Sequence, residues 1–412
     1  MKQTVLTIIT EIDSKKIEQL KSMLAEIQGD LYNNRYLPFS KISLVHFASF
    51  VIVDQTGSPP LLVFENNFDG DLSDYLDQLF SIAGVGIDQL YQCCIGYQSQ
   101  QSKSFLTSHV VPPNAYHIGN VGRAAKDVAN NRELRQKLQD YLDQFFNLSK
   151  PAKLSETELR KNIQSYTKSD IPPELSSVLP PHQTLSERVI PWINLILLGL
   201  VLIVLAIGLF PVTIILILIL RHKEKTDKPY DQNVLVSNVD ALMKTENQIA
   251  QNHLASITDI KPGKFRLYTL KFVLFAVNAV ARIANKGKLS GIPSIHFAHW
   301  SIINNKQLLF LSNFDGSWTS YLDDFIDKAS PGLTGVWTNA VGFPETRFLI
   351  LDGARDELRF KAFARNMQIP SLVWYSAYPD LTVQNIDKDS AIREGVWTDL
   401  SETDTKTWLK HF

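Results

Sequence analysis

Apolar residues recur at strand and helix spacing in each half of the chain, and one long uncharged run separates the halves. In the first half the pattern predicts a strand, a helix, two strands around a turn, a helix, and a last strand followed by a helix. Ser14 is the expected N-cap of the first helix. The predicted ranges are 4–12, 14–27, 42–53, 61–65, 72–80 and 121–145. The order is therefore β-α-β-β-α-β, which is that of the split ferredoxin-like unit.

The uncharged run, residues 189–220, is too apolar and too long for the core of a water-soluble domain. As one straight helix it would be about 48 Å long, against about 30 Å for the hydrocarbon layer of a membrane. Gly208 and Pro211 favour a break inside it. Two arrangements remain open: a tilted, kinked crossing that separates the halves, or a hairpin that leaves both on one side. Basic residues at both ends give only a weak orientation signal, so we favour the hairpin because related repeats usually need each other's faces.

The two halves are copies of one another. Eight residues of the first half recur 246 positions later, which predicts an internal duplication. The matching sets are Phe64, Asn67, Phe68, Asp69, Gly70, Tyr75, Leu76 and Asp77, and Phe310, Asn313, Phe314, Asp315, Gly316, Tyr321, Leu322 and Asp323. His46 and His296 lie in matching blocks at an offset of 250, and the second copy has gained twelve residues, which we assign to a charged helical stretch within 352–368.

The chain therefore divides into two repeats, a membrane segment and two linkers. The predicted limits are 1–150 and 251–412 for the repeats, 189–220 for the membrane segment, and 151–188 and 221–250 for the linkers. In the second repeat the first helix, predicted at 269–284, is apolar on nearly every side, so something besides its own sheet must cover it.

Two such α+β units on one chain resemble the dimeric α+β barrel superfamily, in which ferredoxin-like sheets pack face to face. The superfamily includes the dye-decolourising peroxidases, whose haem pocket carries a GxxDG motif. The similar stretches here are 66–70 and 312–316, with Asn66 and Ser312 in place of the leading glycine. The resemblance implies an intrachain barrel between the repeats and haem as the cofactor to be tested.

Composition narrows the functional classes. Charge is balanced, with 41 basic and 42 acidic residues, so no nucleic-acid partner is expected. Cys93 and Cys94 are adjacent and lack the spacing of a disulfide framework or a zinc site, which fits a reducing compartment and cytoplasmic repeats. The chain contains no P-loop, HExxH or GxSxG motif. The metal, if any, is left open.

His46 and His296 are the candidate catalytic residues, because both are titratable groups in the middle of a predicted strand. Strand alternation predicts that His46 shares a face with Ala48, Phe50 and Ile52, and His296 with Ala298, Trp300 and Ile302. The simpler interpretation is a buried, hydrogen-bonded histidine. His299 is predicted to lie on the opposite face and to be incidental.

The Asn-Phe-Asp-Gly block of each repeat is the candidate for substrate binding. The candidate residues are Asn67, Asp69, Asn313 and Asp315, together with Trp300. The structural alternative is that Gly70 or Gly316 makes the turn, and that Asp69 or Asp71, or in the second copy Asp315 or Ser317, caps the next helix.

Two functions are compatible with these features. The first is a membrane-anchored oxidoreductase or peroxidase-like protein acting on an apolar or lipid-derived substrate between the repeats, with His46 or His296 as ligand or base. The second is a non-catalytic, membrane-bound binding or scaffold protein. The sequence alone does not decide whether the protein is an enzyme.

Overall fold

The computed structural model describes residues 2–55, 57–149, 154–177, 185–227, 236–281, 289 and 291–412. Over these residues the chain has a mixed α+β fold with antiparallel sheets and one long apolar helix. The elements of the first half are β1 (Gln3–Glu11), α1 (Ile17–Gly29), β2 (Val45–Val53), β3 (Leu61–Asp69), α2 (Leu72–Tyr91), α3 (Ser102–Ser108), β4 (Ala115–Ile118) and α4 (Ala125–Ser149).

Helices occupy most of the region between the two halves. In chain order they are α5 (Glu156–Asp170), α6 (Pro173–Ser176), α7 (Leu185–Ile203), a π-helical turn (Val204–Gly208), α8 (Phe210–Thr226) and α9 (Val236–Met243).

The second half repeats the order of the first and adds α12 with short strands. Its elements are β5 (Gln251–Asp259), α10 (Lys264–Ala281), β6 (Ile295–Ile303), β7 (Gln307–Asp315), α11 (Trp318–Trp337), β8 (Thr346–Arg347), β9 (Leu351–Asp352), α12 (Glu357–Met367), β10 (Gln368–Ile369), β11 (Val373–Ser376), α13 (Val383–Trp397) and α14 (Glu402–Leu409).

The last strand of each half pairs with the sheet of the other half. The first sheet has the order β1-β3-β2-β11, and the second has the order β10-β5-β7-β6-β4, with every neighbouring pair antiparallel. Thus β11 lies beside β2, and β4 lies beside β6. Since each sheet needs a strand from the other half for one of its edges, the two halves form a single folded unit.

The two sheets also share a buried layer of aliphatic side chains. It includes Val51 and Val63 from the first sheet and Ile257 and Leu309 from the second. On the outer faces, α1 and α2 pack on the first sheet, and α10, α11 and α12 pack on the second. A separate cluster joins α4 to α5, α13 and α14, so the region predicted as a linker at 151–188 includes a helix packed against both halves.

Several predicted elements are confirmed, and two details were wrong. The strands at 4–12, 42–53 and 61–65 are present, and the charged insertion forms α12, as expected.

The helix predicted at 14–27 begins only at Ile17, and its N-cap residue, Lys16, makes no side-chain cap, so Ser14 is not the cap. The last strand of the first half lies at Ala115–Ile118, before the predicted range. Residues 282–284 of the predicted 269–284 helix lie outside the described residues, and α10 is covered on one side by α7.

The apolar run turns sharply at its middle. The Thr213 hydroxyl donates a hydrogen bond to the Leu205 carbonyl at 2.6 Å. In one continuous helix these residues would be separated by about 12 Å along the axis. The turn comes at Leu209, whose backbone leaves the helical region two residues before Pro211. We call residues 185–226 the apolar hairpin.

Both arms of the apolar hairpin end on the second half of the chain. Helix α7 packs against α10. At the end of α8, the Glu224 carboxylate accepts hydrogen bonds from the backbone amides of Phe348 and Leu349. Asp227, directly after α8, pairs with Lys261 at 2.7 Å and with Arg266 at 2.5 Å. Val189–Gly208 is, by length and composition, able to cross a membrane, and 11% of this stretch is buried.

The exchanged strand β4 carries a histidine that makes the fold sensitive to acid. Burial lowers the pKa of His117 to about 4, so the folded protein holds this ring neutral. An unfolded histidine has a pKa of about 6.5, and one pKa unit corresponds to about 1.4 kcal/mol. The contribution of His117 to the free energy of unfolding is therefore complete above pH 6.5 and is lost as the pH falls toward 4. The total loss is about 3 kcal/mol. We expect His117→Gln to remove this part of the pH dependence of the free energy of unfolding.

The measurement is denaturant unfolding of the detergent-solubilised protein between pH 7.5 and 4, compared with the exposed control His222→Gln. Burial also lowers the pKa of His299, so some acid sensitivity remains in the variant. Equal pH profiles for the wild type and His117→Gln would contradict the assignment.

Candidate functional site

The candidate histidines each form a buried pair with the aspartate of their own repeat. His46 Nε2 lies 3.0 Å from Asp69 Oδ1, and His296 Nε2 lies 2.7 Å from Asp315 Oδ1. Both histidine side chains are about 1% exposed. The fold thus brings together the predicted catalytic residues with two of the predicted substrate-binding residues.

A β-bulge in each second strand orients these histidines. Val45 pairs with Phe68 and Phe47 pairs with Asn67, so His46 is an extra residue without a partner on β3. The same shift occurs between Ile295 and Phe297. A bulge interrupts strand alternation, so the prediction that His46 shares a face with Ala48, Phe50 and Ile52 was wrong. Those three residues pack under the helices, whereas His46 contacts Phe297 of the opposite sheet.

The aspartates have a second role that the sequence did not indicate. Asp69 Oδ2 accepts a hydrogen bond from the backbone amide of Ala125, the first residue of α4, and Asp315 Oδ2 accepts one from Val383, the first residue of α13. A carboxylate at a helix N-terminus satisfies an unpaired amide and interacts favourably with the helix dipole. Each His–Asp pair therefore fixes the start of the helix that follows an exchanged strand.

The expected caps of the nearer helices are present in one repeat only. Ser317 caps α11 by accepting a hydrogen bond from the amide of Ser320. Asp71 makes no side-chain cap on α2. Gly70 and Gly316 have φ angles of 91° and 78°, so they make the predicted turns, in a region of backbone conformation that favours glycine.

Tyr378 lies between the two His–Asp pairs. Its hydroxyl is 2.9 Å from His46 Nδ1, and its ring centroid is 6.0 Å from that of His296. Burial raises the pKa of Tyr378 well above its ordinary value, with further contributions from Asp69 and Asp315, so the phenol stays protonated and donates to His46. In the part of the chain that is described, Nδ1 of His296 has no hydrogen-bond partner.

A second buried polar group surrounds Glu65, near the centre of the interface between the sheets. Its carboxylate lies 2.7 Å from His253 Nε2 and accepts hydrogen bonds from Ser49 at 2.9 Å and Asn67 at 3.0 Å. Asn313 donates to the same carboxylate from the second sheet at 3.2 Å. The predicted binding residues Asn67 and Asn313 therefore face this carboxylate rather than an open cavity.

The charge of Glu65 is maintained by its partners. Burial alone would raise the pKa of the carboxyl, but His253, His299 and the hydrogen bond from Asn67 together lower it to about 2. His299 lies 3.9 Å from Glu65 and also contacts the Thr7 hydroxyl at 2.7 Å. The prediction that His299 is incidental and faces away was wrong, because the bulge shifts the alternation in β6 as it does in β2.

The repeats contribute different chemistry to this group. Glu65 of the first repeat occupies the position of Leu311 in the second, and Ser49 occupies that of His299. His253 lies opposite Asn313, and Val5 lies opposite Asn67. Because Asn313 and Asn67 are equivalent residues of the two repeats, His253 and Val5 are equivalent as well. The carboxylate thus comes from one half and both imidazoles from the other. The sequence does single out Glu65, as a position at which the two repeats differ. A search for residues that the repeats share does not find it.

The surroundings of the histidines do not fit a haem. Both ring nitrogens of His46 are engaged, by Asp69 and Tyr378. Phe47 lies with its ring centroid 5.1 Å from His296 and 5.8 Å from Phe297, which leaves no slot for a flat macrocycle between the sheets. Within the described residues, no group of three or more His, Cys, Asp or Glu side chains is arranged to hold a metal ion.

Trp300, the remaining predicted binding residue, lies apart from the polar groups. It faces the helices of the second repeat, where its ring stacks on Phe310 at 4.7 Å and contacts Trp337 at 5.9 Å. There it lines an apolar cavity of about 370 Å³ between α10 and α11. This volume is within the usual range for small-molecule sites, about 300–1,000 Å³. The cavity and the His–Asp pairs are separate, on opposite faces of the second sheet.

Comparison with known proteins provides no assignment for either group: no protein-family model matches the chain, and no curated protein is similar to it in sequence.

The Glu65 group has a measurable consequence for stability. We expect Glu65→Leu, which copies the residue of the second repeat, to lower the free energy of unfolding by about 3–5 kcal/mol, because it leaves His253 buried without its carboxylate. Adding His253→Val, which introduces the equivalent residue of the first repeat, Val5, should recover part of this loss in the free energy of unfolding. Denaturant unfolding of both single variants and the double variant gives the coupling energy.

The control is Glu18→Leu, which removes an exposed carboxylate of α1 and should change stability by less than about 0.5 kcal/mol. Strictly additive effects of Glu65→Leu and His253→Val would show that the two side chains do not stabilise each other.

Proposed function

We propose that this protein is a membrane-anchored binding protein whose two ferredoxin-like repeats form one intrachain α+β barrel on one side of the membrane. Its ligand is an apolar small molecule. The observation that carries the proposal is the turn at Leu209, together with the attachment of both hairpin arms to the second repeat. The strand exchange supports the barrel arrangement, since each repeat supplies an edge strand to the other.

The apolar hairpin is suited to lie in lipid. The second arm has 11 uncharged residues before Arg221, about 16 Å of helix, which is roughly half of a 30 Å hydrocarbon layer. An exposed helical turn in lipid is costly when its carbonyls lack partners. Here Val204 O accepts from the Leu209 amide and Leu205 O accepts from the Thr213 hydroxyl, so two of the carbonyls at the turn have partners within the segment. These features support insertion from one side.

The residues at the base of the hairpin fit a membrane surface. Trp192 is exposed near the start of the first arm, and Arg221, Lys223 and Lys225 follow the second arm. Tryptophan and basic side chains are common at the level of lipid headgroups.

The burial of the His–Asp pairs favours binding over catalysis. A general base must reach its substrate, but His46 and His296 are enclosed between the sheets and hold the N-termini of α4 and α13 through their aspartates. Their hydrogen bonds fit the simpler interpretation of buried structural histidines. The open cavity lined by Trp300 is therefore the better candidate for a ligand site.

Topology is tested by labelling single cysteines with a membrane-impermeant maleimide in sealed vesicles of one orientation. The native Cys93 and Cys94 are buried, so they give little background. We expect Ser104→Cys in the first repeat and Thr403→Cys in the second to react equally. Ile207→Cys, at the 77% exposed tip of the hairpin, should react only after detergent is added. Opposite labelling of positions 104 and 403 would establish a crossing helix and refute the proposal.

The oxidoreductase alternative is tested by absorption spectroscopy. We expect the purified protein to show no Soret band after incubation with hemin, and His46→Ala to lower the melting temperature, because Asp69 then loses its partner. Tyr32→Ala, a truncation of a half-exposed ring, is the stability control. A Soret band that disappears in His46→Ala or His296→Ala would favour the peroxidase-like function instead.

A further inference from the structure

The apolar cavity of the second repeat lies beside the apolar hairpin. Its walls come from α10, α11 and the loop after β8, including Ala276, Val277, Trp300, Gly332, Trp337 and Ile350. Helix α10, which forms one wall, is the helix that α7 packs against. Ile193 and Ile196 of α7 remain exposed, so α7 has an apolar outer surface in the part that precedes the hairpin tip. Helix α10 therefore contacts both the hairpin and the cavity.

The end of the hairpin holds the loop that closes one side of the cavity. Phe348 and Leu349 have φ angles of 51° and 72°, an unfavourable conformation for bulky side chains. The buried Glu224 carboxylate maintains it by accepting hydrogen bonds from both amides, and Arg221 places its guanidinium 4.9 Å from the centre of the Phe348 ring. Leu349 and Ile350 then line the cavity, while Phe348 is half exposed at its edge. The membrane segment thus contributes directly to the shape of the site.

The equivalent position in the first repeat is closed. Gly86 corresponds to Gly332, and a Cβ atom on Gly86 would lie 1.9 Å from the Tyr36 carbonyl oxygen. At Gly332 no described atom lies within 4 Å of the corresponding point. The helix α2 is thus in close contact with a neighbouring segment at Gly86, whereas α11 has no such contact at Gly332 with the described residues.

We infer that the cavity binds the acyl chain of a single-chain lipid, which enters from the membrane beside α7. The inference rests on the proposed membrane anchor, and it adds the ligand class and the site. Among the described residues the lining consists of apolar side chains, apart from the indole N–H groups of Trp300 and Trp337, and such a lining suits an acyl chain. Its source is the bilayer that surrounds the hairpin.

The test is quenching of tryptophan fluorescence by dibromostearic acid in detergent micelles. Trp300 and Trp337 line the cavity, so a bound brominated chain should quench them saturably. All proteins carry Trp192→Phe, because this exposed hairpin residue would be quenched by any nearby lipid. We expect Ala276→Phe and Gly332→Phe, which fill the cavity from opposite walls, to weaken the apparent affinity at least about tenfold.

Glu224→Ala should also weaken binding, because it releases the loop at Phe348 without touching the cavity interior. Val85→Phe, on the exposed surface of α2 next to the closed position of the first repeat, is the matched control and should bind normally. Circular dichroism checks that each variant is folded. Two cavity-filling variants are used so that the test still works if one of them does not fold.

Quenching that is equal in the wild type and both filling variants would overturn the inference, as would its absence in the folded wild type. A concentration-dependent dimer that Ala276→Phe abolishes would assign the cavity to a second copy of the chain instead. Because the assay uses micelles, its outcome is independent of maleimide labelling. Opposite labelling of positions 104 and 403 with intact quenching refutes the same-side hairpin alone, and equal labelling without quenching refutes the lipid site alone.

Discussion

Backbone pairing between the two halves is the constraint on which the rest of this structure depends. Strand β11 of the second half completes the first sheet, and β4 of the first half completes the second. Neither sheet can retain this edge without the other half. The exchange restricts the apolar segment between the halves: in the proposed membrane arrangement it has to return, because both halves must be on the same side in order to pair. It also explains the position of the His–Asp pairs, since each aspartate caps the helix that follows an exchanged strand.

The polar side chains buried between the sheets favour the pairing of two unlike halves. Two copies of the first half, paired in the same way, would bring two Glu65 carboxylates toward the centre, and two copies of the second half would bring His253 and His299 together in duplicate. Like charges and uncompensated buried groups are costly in a low-dielectric interior. Only the combination of one half of each kind supplies a carboxylate with its imidazole partners. The divergence of the repeats therefore favours pairing within one chain over pairing of identical halves.

Much of the fold could be predicted from the sequence, because hydrophobic period and repeat register report directly on strands and helices. The strands at 4–12 and 61–65 and the inserted helix α12 are examples. The histidine faces could not be predicted correctly, since one extra residue at His46 and another at His296 reverse the alternation on which the argument rested. Glu65, His253 and Tyr378 were missed because their partners come from the opposite sheet, and no local pattern encodes strand exchange. Trp300, which the sequence analysis named for substrate binding, lines a cavity on the other face of the sheet, and its role in binding stays a prediction.

The strand exchange also has a consequence for the order in which the chain is made. The edge of β2 ends at Val53, and its partner β11 begins at Val373, 320 residues later. At about 5–20 residues per second, translation of this interval takes on the order of 16–64 s. During that time the first sheet carries an unpaired edge while the apolar hairpin leaves the ribosome. An open edge is a template for aggregation, so the nascent first half carries this hazard until its final strand has been synthesised.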